Sequence, residues 1–437
     1  MQLTIDKLIY GGNGLARLPA DERGPGKAAF LPLVLEGERV EAEITEQKPG
    51  FARGRAQKIL QASPRRVEPG CPYFGQCGGC HYQHASYEHQ LEIKAQILRE
   101  TLRRVGKLEL AQEIQIHPSP PWNYRNRTRL RVRTQPFVLG YNRLRWSELL
   151  AVEQCPISSP LINKAIAALW QLGGTDGVSA ADISEIELFA NADDTQLLAE
   201  LTVHEPGGRP GGKSELPQFV HALRAAVPEI VGVAVFHPGP QGALEREDIP
   251  PELQETFGAD YVIYSTSTAN YRVSAGSFFQ TNRFLTDKLV ELVSAGRAGD
   301  YALDLYAGVG LFSVALARSF RAVGAVESSP FSFRDLKRNC PGNVNCSHES
   351  VEVFLSGLER ACEMAVVDPP RAGLGEKVAG LLGASGTPRI TYVSCDPATL
   401  ARDLTALMAG GYRIEEAHLV DLFPQTFHIE SVFQLVR

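Results

Sequence analysis

The chain has 437 residues, 44% of them hydrophobic, enough to bury two or three cores rather than one. Its 40 glycines and 28 prolines are too few for a low-complexity protein, and no apolar run reaches 18 residues, so a soluble cytoplasmic protein is expected. The net charge of −6 argues against a surface that binds polyanions everywhere, yet residues 1–145 carry 23 Lys and Arg against 14 Asp and Glu, while residues 146–437 carry 21 against 36, which leaves room for nucleic acid on one face.

Residues 1–60 predict a small β domain. An apolar run at 28–35 is followed by period-2 alternation at 39–45, and glycines at 11, 12, 24 and 26 punctuate it. Short strands in so few residues suit a small barrel of the oligonucleotide-binding kind, or a β module with no ligand of its own. Cys71, Cys77 and Cys80 come next, with Cys155 a fourth thiolate if the fold returns it. A long chain without a secretion signal argues against disulfides, and spacing alone leaves zinc and a [4Fe–4S] cluster equally open.

Leu91, Ala95, Leu98 and Leu102 predict a helix over 89–105 with Gly106 as its stop. Residues 121–145 then hold seven arginines and no acid. Arg125, Arg127, Arg129, Arg131 and Arg133 fall at every second residue, so an extended chain sets them on one face, with Leu130 and Val132 on the other. Such a stripe repels itself unless phosphates neutralise it. With Trp122, Tyr124, Tyr141 and Trp146 nearby for base stacking, the five arginines are candidate RNA contacts. A β-rich region extends over 125–260, including strands at 183–189 and 197–203.

From 280 the rhythm becomes βα. Helices at 283–295 and 399–409 alternate with strands at 301–305, 322–326, 364–368 and 389–394, the pattern of a mostly parallel sheet. Strand 301–305 runs into "DLYAGVG" (304–310), in which Gly308 and Gly310 permit a tight turn but the third glycine of a dinucleotide loop is missing. Asp304 would repel a pyrophosphate, whereas it can accept from the ammonium of S-adenosylmethionine. Glu327 ends the next strand, where a carboxylate can bind both ribose hydroxyls. The prolines of "DPPR" (368–371) hold Asp368 at the sheet rim, and strand 389–394 delivers Cys395 to the same edge. In the tail, His428 and Glu430 are two apart and share a face if extended, and Gln280 follows two phenylalanines ahead of the first helix.

A methyl donor, a thiol and a carboxylate together suggest methylation of uracil carbon 5. That carbon is too weak a nucleophile unaided. Thiolate addition at carbon 6 activates it, and a base must then remove the carbon 5 proton. Cys395 is the candidate nucleophile and Glu430 the candidate base, with His428 as runner-up.

These stretches, with "SCDPATLARDL" (394–404), "FPQTFHIE" (423–430) and "GSFFQTN" (276–282), closely resemble the RNA uracil-5-methyltransferase family over nearly the whole chain. "GGNGLAR" (11–17) and "GERVEAEI" (37–44) are similar to the TRAM domain. The resemblance implies an α/β Rossmann-like methyltransferase domain, an N-terminal oligonucleotide-binding-like β-barrel and a central β-rich RNA-binding domain. The expected boundaries are 1–60 for the barrel, 61–88 with 121–262 for the central domain, and 89–120 with 263–437 for the catalytic domain. It casts Cys395 as nucleophile, Glu430 as base, Asp368 as the acid near target base and methyl donor, and Gln280, Tyr306 and Glu327 as cofactor contacts. Three close cysteines plus Cys155 are similar to the family's iron–sulfur members, so a [4Fe–4S] cluster is expected, with zinc as the alternative. RNA cytosine-5-methyltransferases use a second cysteine where Asp368 stands, which favours uracil. The ribosomal branch is implied: 5-methyluridine formation in 23S ribosomal RNA before ribosome assembly is complete, without an obligate protein partner. The alternatives are transfer RNA and an RNA-folding factor with secondary methylation.

Overall fold

The computed structural model describes residues 1–20, 26–145, 147–173, 183–203, 216–237, 252–358 and 360–437. Gly24 and Trp146 lie outside the described residues. Strands β1 (Gln2–Ile9), β2 (Asn13–Arg17), β3 (Ala28–Pro32), β4 (Arg39–Gln47) and β5 (Phe51–Gln61) close into a barrel in the order β1-β2-β3-β5-β4. Their alternation does this: Val40 and Ala42 point inward beside Ile5, Leu31 and Ala52, while the glutamates between them face water.

Helix α1 (Tyr87–Val105) is capped by the Ser86 side chain and ends at Gly106. That glycine is right-handed, so close approach rather than backbone freedom selects it: a Cβ there would lie 2.8 Å from the Ala401 carbonyl. Strand β6 (Ile114–His117) follows.

The central region comprises β7 (Arg127–Thr134), β8 (Phe137–Asn142), β9 (Leu149–Ala151), α2 (Pro160–Gly173), β10 (Ile183–Ala190), β11 (Leu197–Val203), α3 (Leu216–Ala226), β12 (Ile230–His237) and β13 (Glu252–Gly258). Its sheet runs β13-β12-β11-β10-β7-β8-β9, and α2 and α3 bury Ile162, Ile166, Leu169, Phe219 and Leu223 against Leu130, Ile186 and Leu201.

A hairpin of β14 (Tyr261–Ser265) and β15 (Asn270–Ser274) comes next. The boundary expected between 262 and 263 therefore falls inside a strand. After it come α4 (Thr286–Ser294), β16 (Gly299–Leu305), α5 (Leu311–Leu316), β17 (Phe320–Val326), α6 (Pro330–Asn339), β18 (Val344–Ser347), α7 (Val351–Ser356), β19 (Met364–Val367), α8 (Gly375–Ala384), β20 (Arg389–Ser394), α9 (Pro397–Ala409), β21 (Arg413–Val420) and β22 (Glu430–Val436). The sheet order is β18-β17-β16-β19-β20-β22-β21-β6. The strands from β18 to β20 are parallel, and β22 runs antiparallel between β20 and β21. Both faces are covered, which is why these strands read as continuous apolar runs. Helices α1, α8 and α9 pack on one face, and α4, α5 and the β14–β15 hairpin on the other. Among the described residues no helix is long and apolar enough to cross a membrane.

The arginine stripe departs from the expectation. Strand β7 does alternate, with Thr128 and Leu130 buried opposite the arginines. Its neighbour β10, however, sets Glu187 opposite Arg129 and Glu185 opposite Arg131. Arg127 pairs with Glu187 and with Glu200 at 3.3 Å, and donates to the Ser277 carbonyl at 2.5 Å. Arg129 reaches Glu187 at 2.6 Å, and Arg131 donates to Asn142 and the Ser147 carbonyl. Arg125 is not on the strand and its Nε is buried. Cross-strand carboxylates thus neutralise part of the row; Arg129, Arg131 and Arg133 are exposed, and of these Arg129 is already paired with glutamate. Replacing Arg127 with Met takes the cation away from Glu200 and leaves Glu187 with Arg129 alone. It should lower unfolding free energy by about 3–5 kcal/mol in urea titrations, and a loss under about 1 kcal/mol would show that the pair behaves as a surface contact.

Candidate active site

The carboxyl edge of the large sheet is where parallel strands end together, and β16 with neighbours on both sides marks its switch point. Asp304 in β16 is fully buried; one oxygen accepts from the Ser313 hydroxyl, and Oδ1 has no partner. Burial pushes its pKa up to about 7. The loop that follows turns through left-handed Tyr306 (φ 66°), Gly308 (φ 55°) and Gly310 (φ 96°). At Gly310 a side chain would strike Leu336 and Cys340 as well. Glu327 accepts from the Gly308 amide at 2.8 Å and the Ser329 amide at 2.6 Å, so its own loop orients it.

Asp368 follows β19, and burial, then Asp304, raises its pKa to about 7. Cys395 follows β20 directly before Asp396, whose carboxylate caps α9 through the Ala398 and Thr399 amides at 2.9 and 3.0 Å. The thiol therefore sits at a helix start, yet burial, then Glu430 and Asp368, push its pKa up to about 12. Arg371 opposes that shift.

The register of β20 on β22 settles the remaining geometry. Ser394 pairs with Ser431, so continuing the antiparallel ladder one step sets Glu430 opposite Cys395, where cross-strand side chains share a face. Glu430 is 6% exposed, and its pKa is raised by burial first and Asp368 second. The expectation that 428 and 430 lie on one extended strand fails: residues 421–429 form a turn, with Gln425 left-handed (φ 68°), and β22 starts at Glu430. His428 stands instead between Phe423 and Phe427, with Arg371 3.5 Å from its Nδ1; burial, then Arg371, lowers its pKa to about 3, making it a neutral ring and a poor base.

Gln280 is buried at the end of a loop held by Asp335, which accepts from the Ser274 amide and hydroxyl and from the Ser277 hydroxyl. Sequence reading missed Asp335. It also missed Tyr10, whose ring meets Phe427 edge-on at 5.4 Å and whose hydroxyl lies beside Asp396. No spacing in the sequence links a barrel turn to position 396, so only the fold reveals it.

Away from this edge, Cys71, Cys77, Cys80 and Cys155 line one cavity of about 270 Å³ together with Arg125, Tyr141 and Gln83. Among the described residues no group of three or more His, Cys, Asp or Glu is gathered closely enough to hold a metal ion. The cysteine walls are nonetheless common to one space, and the buried, unpartnered Nε of Arg125 belongs to it.

The family model described as tRNA (Uracil-5-)-methyltransferase matches residues 255–361 and 354–437, and the TRAM domain model matches residues 1–56. An uncharacterised RNA methyltransferase of Aquifex aeolicus is 32% identical over 441 residues, covering 99% of this chain and 97% of its own. The 23S rRNA (uracil(1939)-C(5))-methyltransferase of Shewanella denitrificans is 30% identical over 463 residues, with 99% and 95% covered. A Pyrococcus abyssi tRNA (uracil-54, C5)-methyltransferase, solved with S-adenosyl-L-homocysteine, shares the fold with a TM-score of 0.76 at 24% identity, covering 100% of both chains.

Asp304 and Asp368 hold their protons to about 7 in the folded chain, well above the ordinary 3.8. Below 3.8 both states are protonated. Between 3.8 and 7 the folded state keeps protons that the unfolded state has lost, so stability falls as pH rises through that window. Asp304→Asn should flatten this decline in denaturant titrations run from acid to neutral pH; an unchanged slope would mean that Asp304 ionises freely.

Proposed function

The chain belongs to the RNA uracil-5-methyltransferase family, and from that membership we propose that it transfers the methyl group of S-adenosylmethionine to carbon 5 of a uridine in 23S ribosomal RNA, through a covalent Cys395 adduct. The relatives that carry a 23S rRNA (uracil(1939)-C(5)) name and match along nearly their whole length support the ribosomal substrate over transfer RNA. The observation that carries the mechanism is the β20–β22 register, which aligns Cys395 with Glu430 at the edge where Asp304 and Asp368 also end.

Asp304, with its orphaned Oδ1, accepts from the amino group of the methyl donor, and the Gly308–Gly310 turn gives the donor close access to the backbone. Glu327 keeps lone pairs for the ribose, and Tyr306 and Gln280 are the further donor contacts that family membership implies. Asp368 shares the edge as the acid between donor and target base. The sulfur of Cys395, losing its proton to solvent, forms a bond to carbon 6, the ring π pair moves onto the carbonyl oxygen, and carbon 5 takes the methyl as its bond to the sulfonium breaks. Glu430 then removes the carbon 5 proton, the carbon–carbon double bond returns, and the carbon–sulfur pair leaves with Cys395. The raised pKa values fit a resting site that is protonated until a base and a cationic donor fill it. Arg371 stabilises the thiolate. Arg131 and Arg133 remain candidate phosphate contacts.

For the cysteine cavity we favour a [4Fe–4S] cluster over zinc. Four thiolates around about 270 Å³ leave far more space than one ion fills, and the unpaired Arg125 donor suits an anionic group. The role proposed for it is structural, because uracil methylation moves no electrons.

With labelled methyl donor and separate ribosomal and transfer RNA fragments, label should map to one or two uridines of the ribosomal fragment; transfer RNA labelling alone would reassign the substrate. Cys395→Ala should lower kcat/KM by at least ~10³-fold, and near-normal turnover would end the covalent mechanism. Protein purified without oxygen should be brown and carry about four irons per chain; colourless protein with one zinc would favour the alternative.

A further inference from the structure

Residues 421–429 lead into Glu430; Thr426 bonds within the turn to Phe423 and His428, and Asn282 donates to the Leu422 carbonyl, but the further polar contacts of Asp421, Phe423, Pro424 and Gln425 come from elsewhere. Their anchors come from chain about three hundred residues earlier. Lys94 of α1 donates to Asp421 Oδ1 at 2.6 Å and to the Phe423 carbonyl at 2.9 Å, with side-chain exposures of 0% and 1% for the charged pair. The Tyr87 hydroxyl donates to the other Asp421 oxygen at 2.9 Å. One turn before Lys94, Gln90 is locked reciprocally to Gln425: the Gln425 amide donates to Gln90 Oε1 and Gln90 Nε2 donates to Gln425 Oε1, both at 2.9 Å. The Gln425 carbonyl accepts from the His81 and Tyr82 amides at 2.8 and 2.9 Å. Tyr124 donates to the Pro424 carbonyl at 3.0 Å. The backbone amide, backbone carbonyl and side-chain oxygen of left-handed Gln425 are thus used, and their partners lie on α1 or on the loop that carries Cys77 and Cys80.

The catalytic groups do not depend equally on this clamp. Asp304, Asp368 and Cys395 end strands β16, β19 and β20, which pair with one another in register. Glu430 begins β22, where it pairs with Val420, but among the four it alone is preceded in the chain by the clamped turn. A bound donor and an attacking sulfur can therefore remain in place while the base shifts.

We infer that Lys94 and Gln90 are positioning residues for Glu430, and that the 81–82 amides couple the cysteine loop to the proton-removal step. This rests on the reading of Glu430 as the base. In that step Glu430 accepts the carbon 5 proton, the C–H electron pair becomes the carbon 5–carbon 6 π bond, and the sulfur–carbon 6 pair returns to Cys395. A misplaced carboxylate stops the sequence after methyl transfer, leaving methylated RNA bonded to the protein.

The test uses full-length protein in single turnovers with ribosomal RNA fragment and methyl donor, resolving protein-bound RNA on denaturing gels. Glu430→Gln is the reference and should accumulate the adduct. Lys94→Met and Gln90→Ala should bind the donor as the parent does but release RNA about 10²-fold more slowly, with adduct building up as in the reference. Gln90→Ala leaves the buried ion pair intact, so it reports even where Lys94→Met does not fold. Parental release rates, or donor affinity and methyl transfer lost together, overturn the inference while a trapping Glu430→Gln keeps the base assignment. A reference variant that traps nothing overturns both.

Discussion

One reversed strand in a parallel sheet makes the site possible. Parallel strands all end at one edge, so they deliver groups there only by their last residues. Strand β22 runs the other way and contributes its first residue, Glu430, to the same edge. A thiol leaving β20 and a carboxylate entering β22 consequently meet without either chain bending toward the other. Had β22 been parallel, the acid would lie at the opposite end of the sheet.

Where the placement of a candidate site residue depends on a short stretch of chain, that placement is legible in the sequence. The glycine turn after Asp304, the prolines after Asp368 and the apolar strand ahead of Cys395 each fix their own backbone, and the structure brings those residues to one edge. The tail was less legible because Gln425 adopts a left-handed turn supported only by distant partners, so a two-residue spacing lost its meaning between His428 and Glu430. The helix at 87–105 was readable from its period, whereas its burial of a lysine was not: Lys94 looks like a surface residue until Asp421 is placed against it.

The arginine row shows a different failure. Its alternation was read correctly, but a strand's charge has meaning only with its neighbours. Glu185 and Glu187 repeat at the same period on β10, and pairing two such strands side by side cancels much of the charge that had suggested phosphate. Composition does locate the basic first third of the chain, but it cannot say that Arg127 and Arg129 are already engaged.

The 327 positions that separate Lys94 from Asp421 have a consequence for how the molecule is made. During synthesis α1 emerges well before Asp421, and its ammonium must stay hydrated until that later segment has left the ribosome. The barrel can close long before then, since all its strands lie within the first 61 residues. A product that stops before Asp421 would keep that early module yet have no counter-ion for the lysine, and it would also lack Glu430.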